Sequence, residues 1–146
     1  MTRGADNRDV VRTALEQVCA GGDLALAPSC YAEDFVDHVG RLEYRGLEGV
    51  RRSTALYRSL LDDLAFDVLD QVAEGDRVAT RFLVTGSNRG RRVRVDGITL
   101  SRLRDGRIVE DWSGFDSFEL LRQLGLRRGL IVAPRLLRAL REARAS

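Results

Sequence analysis

The sequence predicts an α+β fold, with N-terminal helices packed on a curved, mostly antiparallel sheet and an extra helix at the C-terminus. Three observations carry this. Apolar residues recur at helical spacing up to about Leu61. From Phe66 the pattern changes to β-branched and aliphatic residues in alternation. Short turns carrying Gly, namely Gly75-Asp76, Gly86-Ser87-Asn88-Arg89-Gly90 and Asp105-Gly106, separate those runs, as hairpins require. With 146 residues, 44% hydrophobic and 32% charged, the chain has the size and composition of one globular domain with its own core.

Asp6 or Asn7 can cap a first helix whose apolar stripe is Val10, Val11, Ala14, Leu15 and Val18, and Gly21-Gly22 ends it. Asp23 caps a shorter helix through Leu24, Leu26 and Ala27, interrupted near Pro28. A short extended segment follows at Phe35–His38, then a loop at 41–46. A third helix runs from Leu47 to about Leu61, with Val50, Ala55 (or Thr54), Tyr57 and Leu61 inward and Arg51-Arg52 outward. Strands are predicted at 66–72, 77–85, 93–103 and 108–115. Phe118–Leu124 makes a turn or two of helix, and the tail from Leu130 holds Pro134 and an amphipathic helix with Leu136, Leu137 and Leu140.

The last hairpin, Arg91 to Asp116, is the most informative stretch. A three-residue loop of Arg104, Asp105 and Gly106 would set Arg102 opposite Ile108, Leu100 opposite Glu110 and Ile98 opposite Trp112. A strict two-residue loop would instead pair Trp112 with Thr99. The first register gathers Ile98, Leu100, Arg102, Ile108, Glu110 and Trp112 on one face, with Asp116 at its end. A mostly apolar face holding a few ionisable groups has the character of a pocket wall.

Charge and cysteine content narrow the partners. Residues 122–146 carry seven Arg and one Glu, a net +6, which leaves residues 1–121 at −4; every basic residue is Arg. The body is thus mildly acidic and no nucleic-acid motif is present, so nucleic acid is not an expected partner. No apolar run is long enough to span a bilayer, and the N-terminus lacks the apolar core of a signal peptide. Cys19 and Cys30 are too few and too far apart for a zinc site, and read as free thiols. A cytoplasmic location and no membrane association are expected. No Gly-rich phosphate loop, Cys/His metal cluster or Ser-His-Asp arrangement is visible.

The segments YAEDFVDH, GLEGVRR, DQVAEGDRVATRFLVTG, VRVDGITLSRLRDGRIVEDWSGFD and LLRQLGL together resemble the SnoaL-like polyketide cyclases of the NTF2-like (ketosteroid isomerase-like) superfamily. The likeness spans roughly residues 8–126, so a SnoaL-like domain is expected at 1–126 and an Arg-rich helical extension at 127–146. The resemblance implies a cone-shaped α+β barrel, usually a homodimer. It also implies ring closure of a polyketide ester, a hydrophobic polycyclic ligand, by intramolecular aldol condensation. An Asp serves as acid/base, with neither metal nor cofactor. By motif that Asp falls on Asp116, and a pocket histidine of the family corresponds to His38.

A carboxylate in an apolar pocket has its pKa raised by desolvation and becomes a better base near neutral pH, which suits Asp116 to removing a proton beside a carbonyl. The plainer alternative is that Asp116 caps the helix beginning near Ser117. His38, the only histidine, is the only imidazole proton shuttle available, or is simply hydrogen-bonded to backbone. Arg102 could polarise a carbonyl or stabilise an enolate oxygen, or form a structural ion pair with Glu110. Trp112, Tyr57, Phe82 and Tyr31 could stack on a planar ligand, although aromatics at such spacing are more often core. Asp96 is either a second carboxylate at the mouth or a solvated residue beside Arg94. Asp96, Arg102 and Asp116 could also imitate the paired carboxylates and Arg of an epoxide hydrolase or cyclase. An isomerase needs only an Asp base and an oxyanion partner. Outside enzymes, a small-molecule-binding or dimeric scaffold domain remains open.

Overall fold

A computed structural model describes residues 2–125 and, beyond them, 134, 135, 137–139, 141 and 142. Helix α1 (Thr2–Thr13) begins ahead of the expected Asp6/Asn7 cap and runs into a π-helical segment, Ala14–Ala20. Its predicted stripe is inward, with Val11, Ala14, Leu15 and Val18 all buried. A 3-10 turn (Leu24–Leu26) and a short helix α2 (Ala27–Cys30) lead to strand β1 (Tyr31–Val39). The segment predicted as a loop at 41–46 contains a strand, β2 (Leu42–Arg45), paired antiparallel to β1. Its period is correct for a strand, with Leu42 and Tyr44 buried and Glu43 and Arg45 exposed, but it is only four residues long.

Helix α3 (Gly46–Leu60) then crosses the sheet. Strands β3 (Asp62–Glu74), β4 (Arg77–Asn88), β5 (Arg91–Arg104) and β6 (Arg107–Phe115) are longer than their sequence signals, and helix α4 (Ser117–Leu124) closes the set. The sheet order is β2-β1-β6-β5-β4-β3, antiparallel throughout except where β1 lies parallel to β6. Register shifts within β1, β3 and at the β5–β6 pair curve this sheet around the helices. The core fills the concave side, from Val11 and Val18 on the first helix to Phe35, Val78, Val93 and Ile108 on the strands.

Two local features shape the interior. Gly97 faces inward under the Phe82 ring: a Cβ there would sit 2.5 Å from Phe82 Cζ, so the absent side chain lets that ring lie flat on β5. Glu16, on the π-helical segment, accepts the backbone N–H of Val68 on edge strand β3 at 3.0 Å. This bond anchors the widened turn to the sheet and covers an edge donor. In the tail, Arg135 donates to the Ser59 carbonyl at the end of α3 (3.0 Å). The described tail residues are helical, while the domain division at 126 and the extent of the predicted tail helix lie outside the described residues.

Candidate active site

The β5–β6 hairpin turns on two residues, Asp105 and Gly106, both in the left-handed region with φ of 52° and 73°. That geometry matches the strand twist and leaves Arg104 opposite Arg107. The extra residue is not in the loop but at Val109, where the pairing shifts between Arg102 and Leu103. Ile108 and Val109 are consecutive and both buried as a result. Beyond the bulge Arg102 pairs with Glu110, Leu100 with Trp112 and Ile98 with Gly114. The expected partners (Ile108 for Arg102, Glu110 for Leu100, Trp112 for Ile98) are each displaced. Ile98, Leu100, Arg102, Glu110 and Trp112 still share a face, since an extra residue in the turn and one in the strand leave the same parity.

That face is the convex one, turned away from the helices: Ile98 is 60% and Trp112 37% exposed. Glu110 sits there between Arg102 and His38, with Arg102 Nη2 donating to Oε2 at 2.9 Å and His38 Nε2 lying 3.0 Å from Oε1. Its carboxyl is held below the usual range, first by the His38 hydrogen bond and then by Arg102. His38 stacks on Trp112 at 5.5 Å, and the Arg77 guanidinium lies 5.9 Å from the same ring centre. Asp96 is exposed on β5 on this convex face. Asp116 follows the end of β6 and caps α4, its Oδ1 accepting the Glu119 N–H at 2.9 Å. Of the sequence candidates, His38, Arg102, Glu110 and Trp112 are therefore brought together, but outside the barrel. Asp96 and Asp116 stand apart from them.

Inside, the parity places a different row across the sheet: Asp37 on β1, Asp111 on β6, Ser101 on β5 and Val78 on β4 are successive register partners. Asp37 and Asp111 are each only 7% exposed, and Oδ1 of each has no hydrogen-bond partner. Burial pushes the Asp37 carboxyl well above its ordinary value, and Asp111 beside it pushes it further. Asp111 is raised by burial to about 7, with the Ser101 hydroxyl opposing the shift. Burying a carboxyl without full hydrogen bonding costs several kcal/mol. A fold that keeps two of them side by side carries a feature that packing alone would not select.

The pair opens into a cavity between sheet and helices, lined by Leu15 and Cys19, by Tyr31, Phe35 and Tyr57, and by Phe66, Phe82 and Phe115 among others. Three sequence candidates, Tyr31, Tyr57 and Phe82, thus stand in its wall. The cavity volume is about 60 Å³, a narrow slot. Cys19 Sγ lies 3.3 Å from the Tyr31 hydroxyl. Burial raises this thiol to about 12, which keeps it protonated and unreactive near neutral pH. The next row inward is neutral and polar: Thr99 Oγ1 and Ser113 Oγ are 2.9 Å apart, and Gln71 Nε2 donates to Thr80 Oγ1 at 3.2 Å. Among the described residues, no Arg or His lines the cavity and no group of three or more His, Cys, Asp or Glu is placed to hold a metal ion.

Asp37 and Asp111 were absent from the sequence candidates because the reading of the hairpin centred on Ile98, Leu100 and Trp112, which lie on its opposite face. The inner set on β5 reads Val93, Val95, Gly97, Thr99, Ser101 and Leu103, whereas the outer set carries Arg92, Arg94, Asp96 and Arg102 beside Ile98 and Leu100. The available signal was the apolar residues at both ends of the inner set, Val93, Val95 and Leu103.

A family model described as SnoaL-like polyketide cyclase matches residues 9–124, and the chain belongs to that family. TsrD from Streptomyces laurentii is 26% identical with a TM-score of 0.73, covering 83% of this chain and 96% of its own. Wild-type IdmH from Streptomyces antibioticus, described as a putative polyketide cyclase, is 29% identical with a TM-score of 0.72, covering 82% and 99%. A protein of ketosteroid isomerase-like fold from Catenulispora acidiphila, solved in complex with trimethylamine, is 18% identical with a TM-score of 0.67, covering 80% and 90%. That last likeness is one of fold alone. No curated protein sequence matches. The fold is thus the NTF2-like, ketosteroid isomerase-like cone that the resemblance implied.

Proposed function

We propose that the chain closes a ring in a small polyketide-like ester by cofactor-independent intramolecular aldol condensation, with Asp37 and Asp111 as the acid/base pair. The observation that carries this reading is the juxtaposition of two buried, register-paired carboxyls with unpartnered oxygens in an aromatic cavity. Two carboxylates side by side in a low-dielectric site do not both ionise near neutral pH, so the pair holds one proton and titrates as a unit. The ionised member removes a proton from a carbon flanked by carbonyls. The protonated member hydrogen-bonds the oxygen on which enolate charge develops. The enolate carbon bonds to a second carbonyl carbon, and the resulting alkoxide takes up the abstracted proton, which returns the pair to its singly protonated state.

This assignment moves the acid/base role from Asp116, His38 and Arg102 to residues inside the barrel. The cavity's narrowness favours a single flat ring at the carboxyl pair, and a ligand of several fused rings requires its helical wall to move outward. The test is deuterium exchange at the α-carbon of methyl benzoylacetate in D2O, followed by NMR. Asp37→Asn or Asp111→Asn is expected to slow protein-catalysed exchange by about 10²-fold or more. Exchange at the wild-type rate in both variants would sink the assignment.

We also infer a homodimer through the convex sheet face. One row there runs Val72, Ala79, Leu100, Trp112 across four strands, and Val72 is 70% exposed. Next to it lies a row of mixed charge, Glu74, Arg77, Arg102 and Glu110, able to meet its own rotated copy.

A further inference from the structure

We infer that the cavity is a binding site for the protonated amino group of a small organic amine, held between Asp37 and Asp111 with aromatic rings on its flanks. The inference rests on reading that pair as the working groups of the site, and it concerns what the site recognises rather than what it converts.

The two acids line a cavity whose other polar groups are neutral. The titratable groups facing the pair are Cys19 on the π-helical segment, Tyr31 on β1, Tyr44 on β2 and Tyr57 on α3, and none of these is a cation. An ionised carboxyl inside this wall therefore has no counter-ion among the described residues, unlike Glu110 outside, which is paired with Arg102. The Oδ1 atoms of Asp37 and Asp111 are acceptors that nothing among the described residues satisfies. A ligand that supplies N–H donors and positive charge meets both deficits at once.

The surrounding rings add to this. Tyr31 and Phe35 pack 4.6 Å apart, and Phe66 packs against both Tyr57 and Phe82 at 6.1 and 5.1 Å. The faces of such rings attract an ammonium group and repel an anion. A carboxylate ligand would add a second like charge to the slot, with no cation among the described lining residues to offset it.

The test uses three single-ring probes of similar size, benzylammonium, methyl benzoate and benzoate, titrated calorimetrically into the full-length protein at pH 8. Benzylammonium is expected to bind about tenfold or more tighter than benzoate, with the neutral ester between them. In the double variant Asp37→Asn/Asp111→Asn that order should collapse. The wild type gives a second readout that needs no variant: the preference for benzylammonium should shrink as pH falls below the pair's titration and the pair becomes neutral. Benzoate binding as tightly as benzylammonium, an order unchanged in the double variant, or no binding of any probe would each overturn the inference. The affinity order needs no turnover, so a protein that ranks the probes as expected yet exchanges no α-proton refutes the cyclase chemistry alone.

Discussion

Asp111 is the residue whose environment makes the sharpest demand on the protein. Its carboxyl is raised from 3.8 to about 7 in the fold, chiefly by burial. The folded chain thus binds more protons than the unfolded chain between about pH 4 and pH 7, and stability falls as pH rises through that window. Asp111→Asn removes the ionising group. It should leave stability nearly unchanged at pH 4 and raise it at pH 8, on the order of a few kcal/mol, in urea unfolding followed by circular dichroism. Equal stability of the two proteins at pH 8 would mean the pair is not desolvated as described. Asp116 offers the contrasting case. As the N-cap of α4 it should cost about 1 kcal/mol when changed to Ala. Its loss should not slow α-proton exchange on methyl benzoylacetate. A large drop in exchange with Asp116→Ala would return the acid/base role to the residue that the family motif singles out.

At the scale of elements, the hairpin shows how one residue redirects a strand. Side chains alternate with a period of two, so the position of the extra residue decides which partners meet. A three-residue turn and a two-residue turn with a bulge at Val109 give the same outward residues apart from Ile108. They differ in pairing, and in burying Ile108 with the interior rather than leaving it on that face. The π-helical segment has a comparable effect on the first helix. Its wider turn presents Leu15 and Cys19 to the cavity, while Glu16 reaches the edge of β3. Strand β2 escaped the sequence reading because four residues give too short an alternation to stand out from a loop. Its pairing with β1 is tertiary, and sets Tyr44 beside Asp37.

At the scale of the molecule, the sheet has two faces with different tasks. The concave face holds the core and the acid pair; the convex face carries the His38–Glu110–Arg102 cluster and the exposed Val72, Ile98 and Trp112. Contiguous apolar residues of this kind on an open sheet mark an interaction surface. The double change Leu100→Arg/Trp112→Glu should convert the dimer to a monomer in sedimentation velocity. A monomeric wild type, or a dimer that survives both substitutions, removes the convex face as the interface. Among the described residues no helix is long and apolar enough to cross a membrane.

By itself the sequence determined the order of elements, the apolar stripe of the first helix, the turn at Asp105-Gly106 and the family to which the motifs belong. These are local properties, carried by spacing, by Gly and Asp tolerance of positive φ, and by short words such as GITLSRLRDGRIVEDWSGFD. Tyr31, Tyr57 and Phe82 were legible as candidate walls for the same reason, being large aromatics at core spacing. Only the tertiary structure decided which side of the hairpin faces the helices. An alternating strand offers two faces, and the choice depends on distant packing by the first helix, α3 and α4. That choice brought Asp37 and Asp111, far apart in the chain, into one buried pair, and left Ile98, Leu100 and Trp112 outside.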